Sequence, residues 1–188
     1  MSRKYVNDKW CVRCGRTTMT PFLRTSMPKI VKAIGRTSDV TVIDIGCGNC
    51  RNINNMNEFV KGRFVGYDMV ADAQTHVELV KIKLGVDFIQ EPWGSVDIVL
   101  ADFIFMFLSE AELNNVIDSI KYIIKDSGVI VIELYPAKDS RVKTEAEITP
   151  FMEAIVARFN KDTVITRPGT WIYIRKCKGK CVLQFSKD

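Results

Sequence analysis

Eight residues, Val42-Ile43-Asp44-Ile45-Gly46-Cys47-Gly48-Asn49, limit most tightly what this chain can fold into. An apolar run that ends in an acid and then meets two spaced glycines reads as a strand covered on both faces and running into a tight turn. Gly46 and Gly48 let the backbone reverse and approach a ligand closely. A phosphate-binding turn wants backbone N–H groups, a helix N-terminus and no neighbouring negative charge. Here Asp44 precedes the first glycine, and Arg51 stands where a dinucleotide fingerprint has its third glycine. The turn therefore suits a ligand that is cationic at this point.

About twenty residues on, Phe64-Val65-Gly66-Tyr67-Asp68 repeats the pattern of a short strand ending in an acid, placed to accept hydrogen bonds from both hydroxyls of a ribose. Two carboxylates at two strand tips with a turn between them describe a nucleoside site without phosphate. The methionyl part of S-adenosylmethionine, with its ammonium and sulfonium, matches the first acid. The plain alternative is a glycine-rich strand-to-helix turn with incidental surface acids.

On these residues the chain resembles the class I (Rossmann-like) S-adenosylmethionine-dependent methyltransferases. Val42 to Asn49 resembles the family's first motif and Phe64 to Met69 its second. Val96-Asp97-Ile98-Val99-Leu100-Ala101-Asp102 resembles its fourth strand, and Gly128 to Leu134 its fifth. The resemblance implies an α/β fold with a doubly wound, mostly parallel sheet and a terminal antiparallel β-hairpin. It also implies S-adenosylmethionine as cofactor, held by Asp44, Gly46, Cys47, Gly48, Asp68, Met69, Gln90, Glu91, Ala101 and Phe103. Gln90 and Glu91 fall where the family meets the adenine amino group, and Trp93 either stacks on that ring or packs in the core. Segments before the first strand cover the cofactor in this family, which nominates Arg24 on the substrate side. Ligands of such sheets lie beyond the carboxyl ends of the strands, where the strand order reverses. Asp102 and Phe105 then fall near the reacting methyl, with Tyr135 opposite. Asp102 is the catalytic candidate, against the simpler reading of a hydrogen-bonded strand-end acid.

Local signals lay out the rest. Met27 to Gly35 reads as a helix with Pro28 in its first turn and Gly35 as its stop. Cys50 to Val60 reads as a short irregular helix. Val77, Val80 and Leu84 keep helical spacing and predict an amphipathic helix over Ala71 to Leu84. Val86 to Gln90 is the expected third strand, and Glu91-Pro92-Trp93-Gly94-Ser95 links it at once to the fourth. That link is short, because about 20 Å of extended chain must cross three inter-strand gaps of about 4.8 Å. Ser109 to Glu112 is a capping box opening a helix with an apolar stripe from Leu113 to Ile124. Lys125 to Gly128 turns into the strand Val129 to Leu134. Thr149-Pro150 reads as the cap and first position of a last helix through Phe159. Thr163 to Phe185 is β-rich, with turns at Arg167 to Thr170 and Cys177 to Cys181.

At 188 residues, the chain reads as one α/β unit in two parts. Residues 1–38 form a basic segment with a Cys-x-x-Cys knuckle and a covering helix, and 39–188 form the cofactor-binding core. No apolar run reaches the roughly 18 residues of a membrane span, and no apolar segment follows the basic start, so a cytoplasmic protein is expected. The net charge of +5 is uneven: residues 1–40 hold nine Lys/Arg against two acids, and residues 158–188 hold eight against two. Basic ends around an acidic centre suit an anionic acceptor such as a nucleic acid, or are solvated tails. Cys11 and Cys14 could share a tetrahedral zinc with Cys177 and Cys181, or all four are free thiols.

Methyl transfer from a sulfonium asks chiefly that nucleophile, methyl and leaving sulfur share one axis, so no catalytic constellation is required. Two other functions stay open at this stage. One is a non-catalytic, zinc-containing nucleic-acid-binding module on the same fold. The other is an NAD-dependent oxidoreductase, against which Arg51 and Asp44 argue. Whether the acceptor is a small molecule or a nucleic acid is not legible, and neither is the oligomeric state.

Overall fold

The computed structural model describes residues 17–69, 77–138 and 140–160, and the backbone of 171–176 and 182–186. The apolar runs form the sheet they predict. β1 (Val40–Ile45), β2 (Gly62–Asp68), β4 (Val96–Asp102) and β5 (Ile124–Leu134) lie side by side and parallel. With β3 (Glu78–Lys81), β6 (Trp171–Lys176) and β7 (Val182–Ser186), the order is β3-β2-β1-β4-β5-β6-β7. β6 runs parallel to β5, and β7 returns antiparallel to β6. The chain winds outward from β1 to β3, then crosses to β4 on the other side of β1. This places a switch point between the tips of β1 and β4.

Neighbouring residues on each strand feed two cores, which is why the strands are apolar throughout. Ile43, Val65, Val99, Ala101, Ile130 and Ile132 face α3 (Glu110–Ile123) and α4 (Glu145–Asn160). Val42, Phe64, Ile98, Leu100, Val129 and Val131 face α1 (Pro21–Ile34) and α2 (Arg51–Asn54). α1 is part of this second core, with Met27 and Ile30 fully buried. α3 starts on the expected capping box. Ser109 Oγ accepts the Glu112 N–H at 3.3 Å, and Glu112 Oε2 accepts the Ser109 N–H at 2.7 Å.

Five expectations are corrected. α1 begins at Pro21, not near Met27: Thr20 Oγ1 caps it by accepting the Leu23 N–H at 3.4 Å, and Pro28 falls inside. Two prolines were each suited to a first turn, and the capped one starts the helix. Gly35, at φ 70°, ends it as expected.

The helix over Ala71 to Leu84 is replaced in its described part by β3, where Glu78 to Lys81 pair with Val65 to Asp68. Val86 to Gln90 is not a strand of the sheet. Of the three apolar residues at helical spacing only Val80 lies in β3, and the open edge of β2 gains its hydrogen-bond partners from this strand. Residues 82–95 then connect β3 to β4, which removes the difficulty of the short link.

α3 stops at Ile123, and β5 already begins at Ile124. Residues 125–128 bulge out between the pairs Val96–Ile124 and Ile98–Val129. α4 begins at Glu145, so Pro150 lies within it rather than at its start. Glu147 caps this helix by accepting the N–H groups of Lys143 and Thr144 at 2.6 and 3.0 Å.

Candidate active site

The carboxyl ends of β2, β1 and β4 each carry an acid: Asp68, Asp44 and Asp102. The loop after β1 is built by its glycines. Gly46 sits at φ 73°, and a Cβ there would lie 2.7 Å from Ile104 Cγ1, so a side chain is excluded on two counts. Its N–H and that of Cys47 both donate to Tyr67 O, at 2.7 and 3.2 Å, docking the turn on β2. Gly48 donates its N–H to Asp68 Oδ2 at 2.9 Å, which fixes the acid of β2 against the loop. Cys47 turns its side chain inward: a Cβ on Gly66 would meet its sulfur at 2.7 Å. Its thiol donates to Cys50, which raises the Cys47 pKa and lowers that of Cys50. Cys47 therefore offers a ligand its backbone only. Cys50 takes φ 59° without being glycine, and Phe103 does the same at the tip of β4. Strain of this kind gathers where a backbone is held for function.

Asp44 is 2% exposed, and its Oδ1 has no hydrogen-bond partner among the described residues. Burial pushes its carboxyl well above the ordinary range; Asp102, Cys50 and Asp68 add to this, and Arg51 opposes it. Asp102 Oδ2 accepts from Arg51 Nη2 at 3.1 Å and Asn52 Nδ2 at 2.7 Å, while its Oδ1 is also without a partner. Asn52 reaches the other way as well. Its Oδ1 accepts the Thr20 N–H at 2.9 Å, which ties the cap of α1 to the tip of β4. A small cleft lined by Thr20, Leu23, Asn52, Ala101 and Asp102 opens between them. Two buried carboxylate oxygens without donors fit a cation, and the glycine loop leaves room for a ligand to approach it. Both match the amino-acid end of S-adenosylmethionine.

The structure gathers Asp44, Gly46, Cys47, Gly48, Asp68, Ala101, Asp102 and Phe103 at this end of the sheet, with Met69 directly after β2. Tyr135 follows β5, its ring edge-on to Phe103 at 6.1 Å. Five candidates are placed elsewhere. Glu91 is buried with both oxygens taken, one by Arg63 Nη1 at 2.7 Å and one by the Tyr67 hydroxyl at 2.8 Å. Arg63 belongs to the start of β2, away from the tips. Gln90 is exposed on the same connection. Trp93 and Gly94 lie just before β4, and Gly94 bonds Tyr122 O near the end of α3, so that tryptophan is at the opposite end of the sheet from the cofactor loop. Phe105 is fully buried in the main core and lines no acceptor space. Arg24 is paired with Glu58 at 2.5 Å and lies over the Phe59 ring.

Arg51 and Asn52 were missed as site residues. The signal for Arg51 was present, since a cation standing where a glycine was sought needs a role of its own. Among the described residues no group of three or more His, Cys, Asp and Glu is arranged to hold a metal. Cys11, Cys14, Cys177 and Cys181 lie outside the described residues.

The sequence model of a family described as "Methyltransferase domain" matches residues 43–132. No curated protein matches the chain. Among solved structures, a Methanococcus maripaludis protein described as an S-adenosyl-L-methionine-dependent methyltransferase is 11% identical, with 79% of this chain and 82% of that one aligned at a TM-score of 0.54. The Burkholderia thailandensis 1,6-didemethyltoxoflavin-N1-methyltransferase, solved with 1,6-didemethyltoxoflavin and S-adenosylhomocysteine, is 15% identical over 72% of this chain and 67% of its own, with a TM-score of 0.52. The chain spans 53% of a Pyrococcus horikoshii protein, PH0226, at 19% identity over 57% of its own length and a TM-score of 0.47. At these identities the solved structures speak for the fold.

Proposed function

We propose that this chain, whose residues 43–132 match the sequence model of a methyltransferase domain, carries a methyl group from S-adenosylmethionine to an acceptor by in-line displacement. The buried Asp44, whose Oδ1 beside a glycine turn meets no donor among the described residues, carries this reading. The cofactor supplies an electrophilic methyl on a positive sulfur. The chain's own residues position it. Asp44 faces the ammonium, Asp68 takes the ribose hydroxyls, and the backbone of Gly46, Cys47 and Gly48 lines the approach. Ala101 and Phe103 close the β4 side, and Met69 the β2 side. Alignment of nucleophile, methyl and sulfur is the main catalytic contribution, since effective molarity rises steeply with correct placement. Asp102, with Oδ1 uncommitted, is the polar group on the acceptor side, and Tyr135 borders the same space.

The acceptor is anionic in this reading, with nucleic acid the leading class, because both ends of the chain are basic. No helix among the described residues is long and apolar enough to cross a membrane, and a cytoplasmic setting fits the free thiols of Cys47 and Cys50.

Calorimetry with S-adenosylmethionine is the direct test. The unaltered chain should bind it, and joint replacement of Asp44 and Asp68 by alanine should weaken binding by roughly tenfold or more, as loss of a charge-assisted contact does. Unchanged affinity in that variant would remove the reading. Methyl transfer against pools of RNA, DNA, protein and metabolites then identifies the acceptor.

A further inference from the structure

The long helices on the two faces of the sheet carry opposite charge. On one face α3 holds three acids against one lysine, and α4 three acids against one arginine. On the other face α1 holds Arg24, Lys29 and Lys32 and no acid. Its large apolar side chains are turned into the core, with Phe22, Leu23, Met27, Ile30 and Ile34 buried. Its three cations stand on the exposed side. Lys29 and Lys32 meet no hydrogen-bond or ion-pair partner among the described residues. Arg24 is paired with Glu58, but the two side chains are 50% and 45% exposed, so water screens that pair heavily. Asp97, the acid that reaches the exit of α1, is already held by Arg36 and Lys125. A single-sign face of this kind attracts a polyanion.

The helix also starts at the right place. Thr20, its cap, donates its N–H to Asn52, which in turn holds Asp102, and Leu23 lines the cleft between them. From that end the 14 residues of α1 run about 21 Å along the surface. Arg24 to Lys32 covers about 12 Å of this, the length of roughly three nucleotides at about 3.4 Å each. We infer that the exposed face of α1 is a phosphate track: Arg24, Lys29 and Lys32 hold the backbone of a nucleic acid whose acceptor nucleotide enters the site at the capped end. This rests on the reading of the acceptor as nucleic acid. The face suits phosphate better than lipid, because its exposed positions offer no large apolar side chain to insert. It suits phosphate better than an acidic protein, because it lacks the aromatic or aliphatic anchors on which protein interfaces depend. Contacts of this kind position a strand and carry no sequence information.

Fluorescence anisotropy of the full chain with labelled single-stranded RNA and DNA of one sequence, about 20 nucleotides long, reads this out between about 50 and 200 mM salt. Joint replacement Lys29→Gln and Lys32→Gln should weaken binding of both strands about tenfold and lower the salt slope by about 1.4, the share of two phosphate contacts. Joint replacement Lys81→Gln and Lys83→Gln removes the same charge from exposed positions at the sheet edge and should change affinity by less than about twofold. Lys29→Arg with Lys32→Arg should keep the affinity. An unchanged S-adenosylmethionine affinity in each variant shows that the fold is intact. Equal losses in the two glutamine pairs would mean attraction to overall charge alone and would overturn the inference, as would no loss in the first pair. So would a variant that loses binding to phosphatidylserine vesicles, or to polyglutamate, while keeping the nucleic acid. Methylation of RNA or DNA that is indifferent to the first pair would sink the track and leave the acceptor reading standing. Binding lost in that pair, with no nucleic acid methylated by the unaltered chain, would do the reverse.

Discussion

Asp44 and Asp97 are both acids buried in one parallel sheet, at 2% and 3% exposure, and they are treated in opposite ways. Asp97 lies at the amino end of β4 and has its lone pairs filled. Arg36 and Lys125 pair with it, the latter at 2.9 Å, and Thr41 donates its N–H at 2.8 Å. Asp44 lies at the carboxyl end of β1, and its Oδ1 has no donor among the described residues. The first arrangement stitches α1's exit, β1, β4 and β5 together. The second leaves desolvation uncompensated until something cationic arrives. A buried acid with its donors in place reads as structure, and one without them, beside a glycine turn, reads as a binding site.

The largest effect expected from this contrast is at Asp97. Asp97→Ala should cost about 3 kcal/mol in urea unfolding, since it strands a backbone N–H and two cations at once. Partial exposure of Arg36 and Lys125 keeps the loss from going higher. Cofactor affinity per folded molecule should not change.

The substitution Asp44→Asn should act in the opposite direction on both counts, raising stability by about 1–2 kcal/mol at neutral pH and weakening S-adenosylmethionine binding. A thermal scan should move up by roughly 2–4 °C per kcal/mol. Folded Asp44 holds its proton more tightly than the unfolded chain does, because burial and Asp102 oppose its charge. Its native stability is therefore full below the unfolded pKa of about 3.9 and falls as pH rises through the raised folded value. The advantage of the asparagine should vanish near pH 3 and grow as pH rises; an advantage independent of pH would break the comparison.

The smallest effect is at Glu91. Arg63 is 46% exposed, so Glu91→Gln should cost no more than about 1 kcal/mol and keep the Tyr67 contact. Affinity for S-adenosylmethionine should stay within about twofold, and a tenfold fall would return Glu91 to the adenine edge.

Much of the core was legible because its signals are local. The run into Gly46, the acid ending each strand, the capping box at Ser109 and the apolar β5 are each specified within a few residues, by backbone freedom, by unpaired helix N–H groups or by a two-faced burial pattern. The places of Asp44, Asp68 and Asp102 at neighbouring tips followed from the strand order that the resemblance implied. Cys11, Cys14, Cys177 and Cys181 carry a zinc expectation that falls on residues outside those described.

What the amino-acid sequence determined by itself was the chemistry of the loop and the identity of the strands that end in acids. Only the tertiary structure decided that Glu78 to Lys81 is a strand, because a short amphipathic segment takes the conformation that satisfies an open neighbour, here the edge of β2. It alone decided that Glu91 belongs to Arg63 and Tyr67, that Phe105 is packed away, and that Arg51 meets Asp102. Those are encounters between residues far apart along the chain, and which charges and rings meet is set by how the strands are ordered and packed, a property that no local window contains.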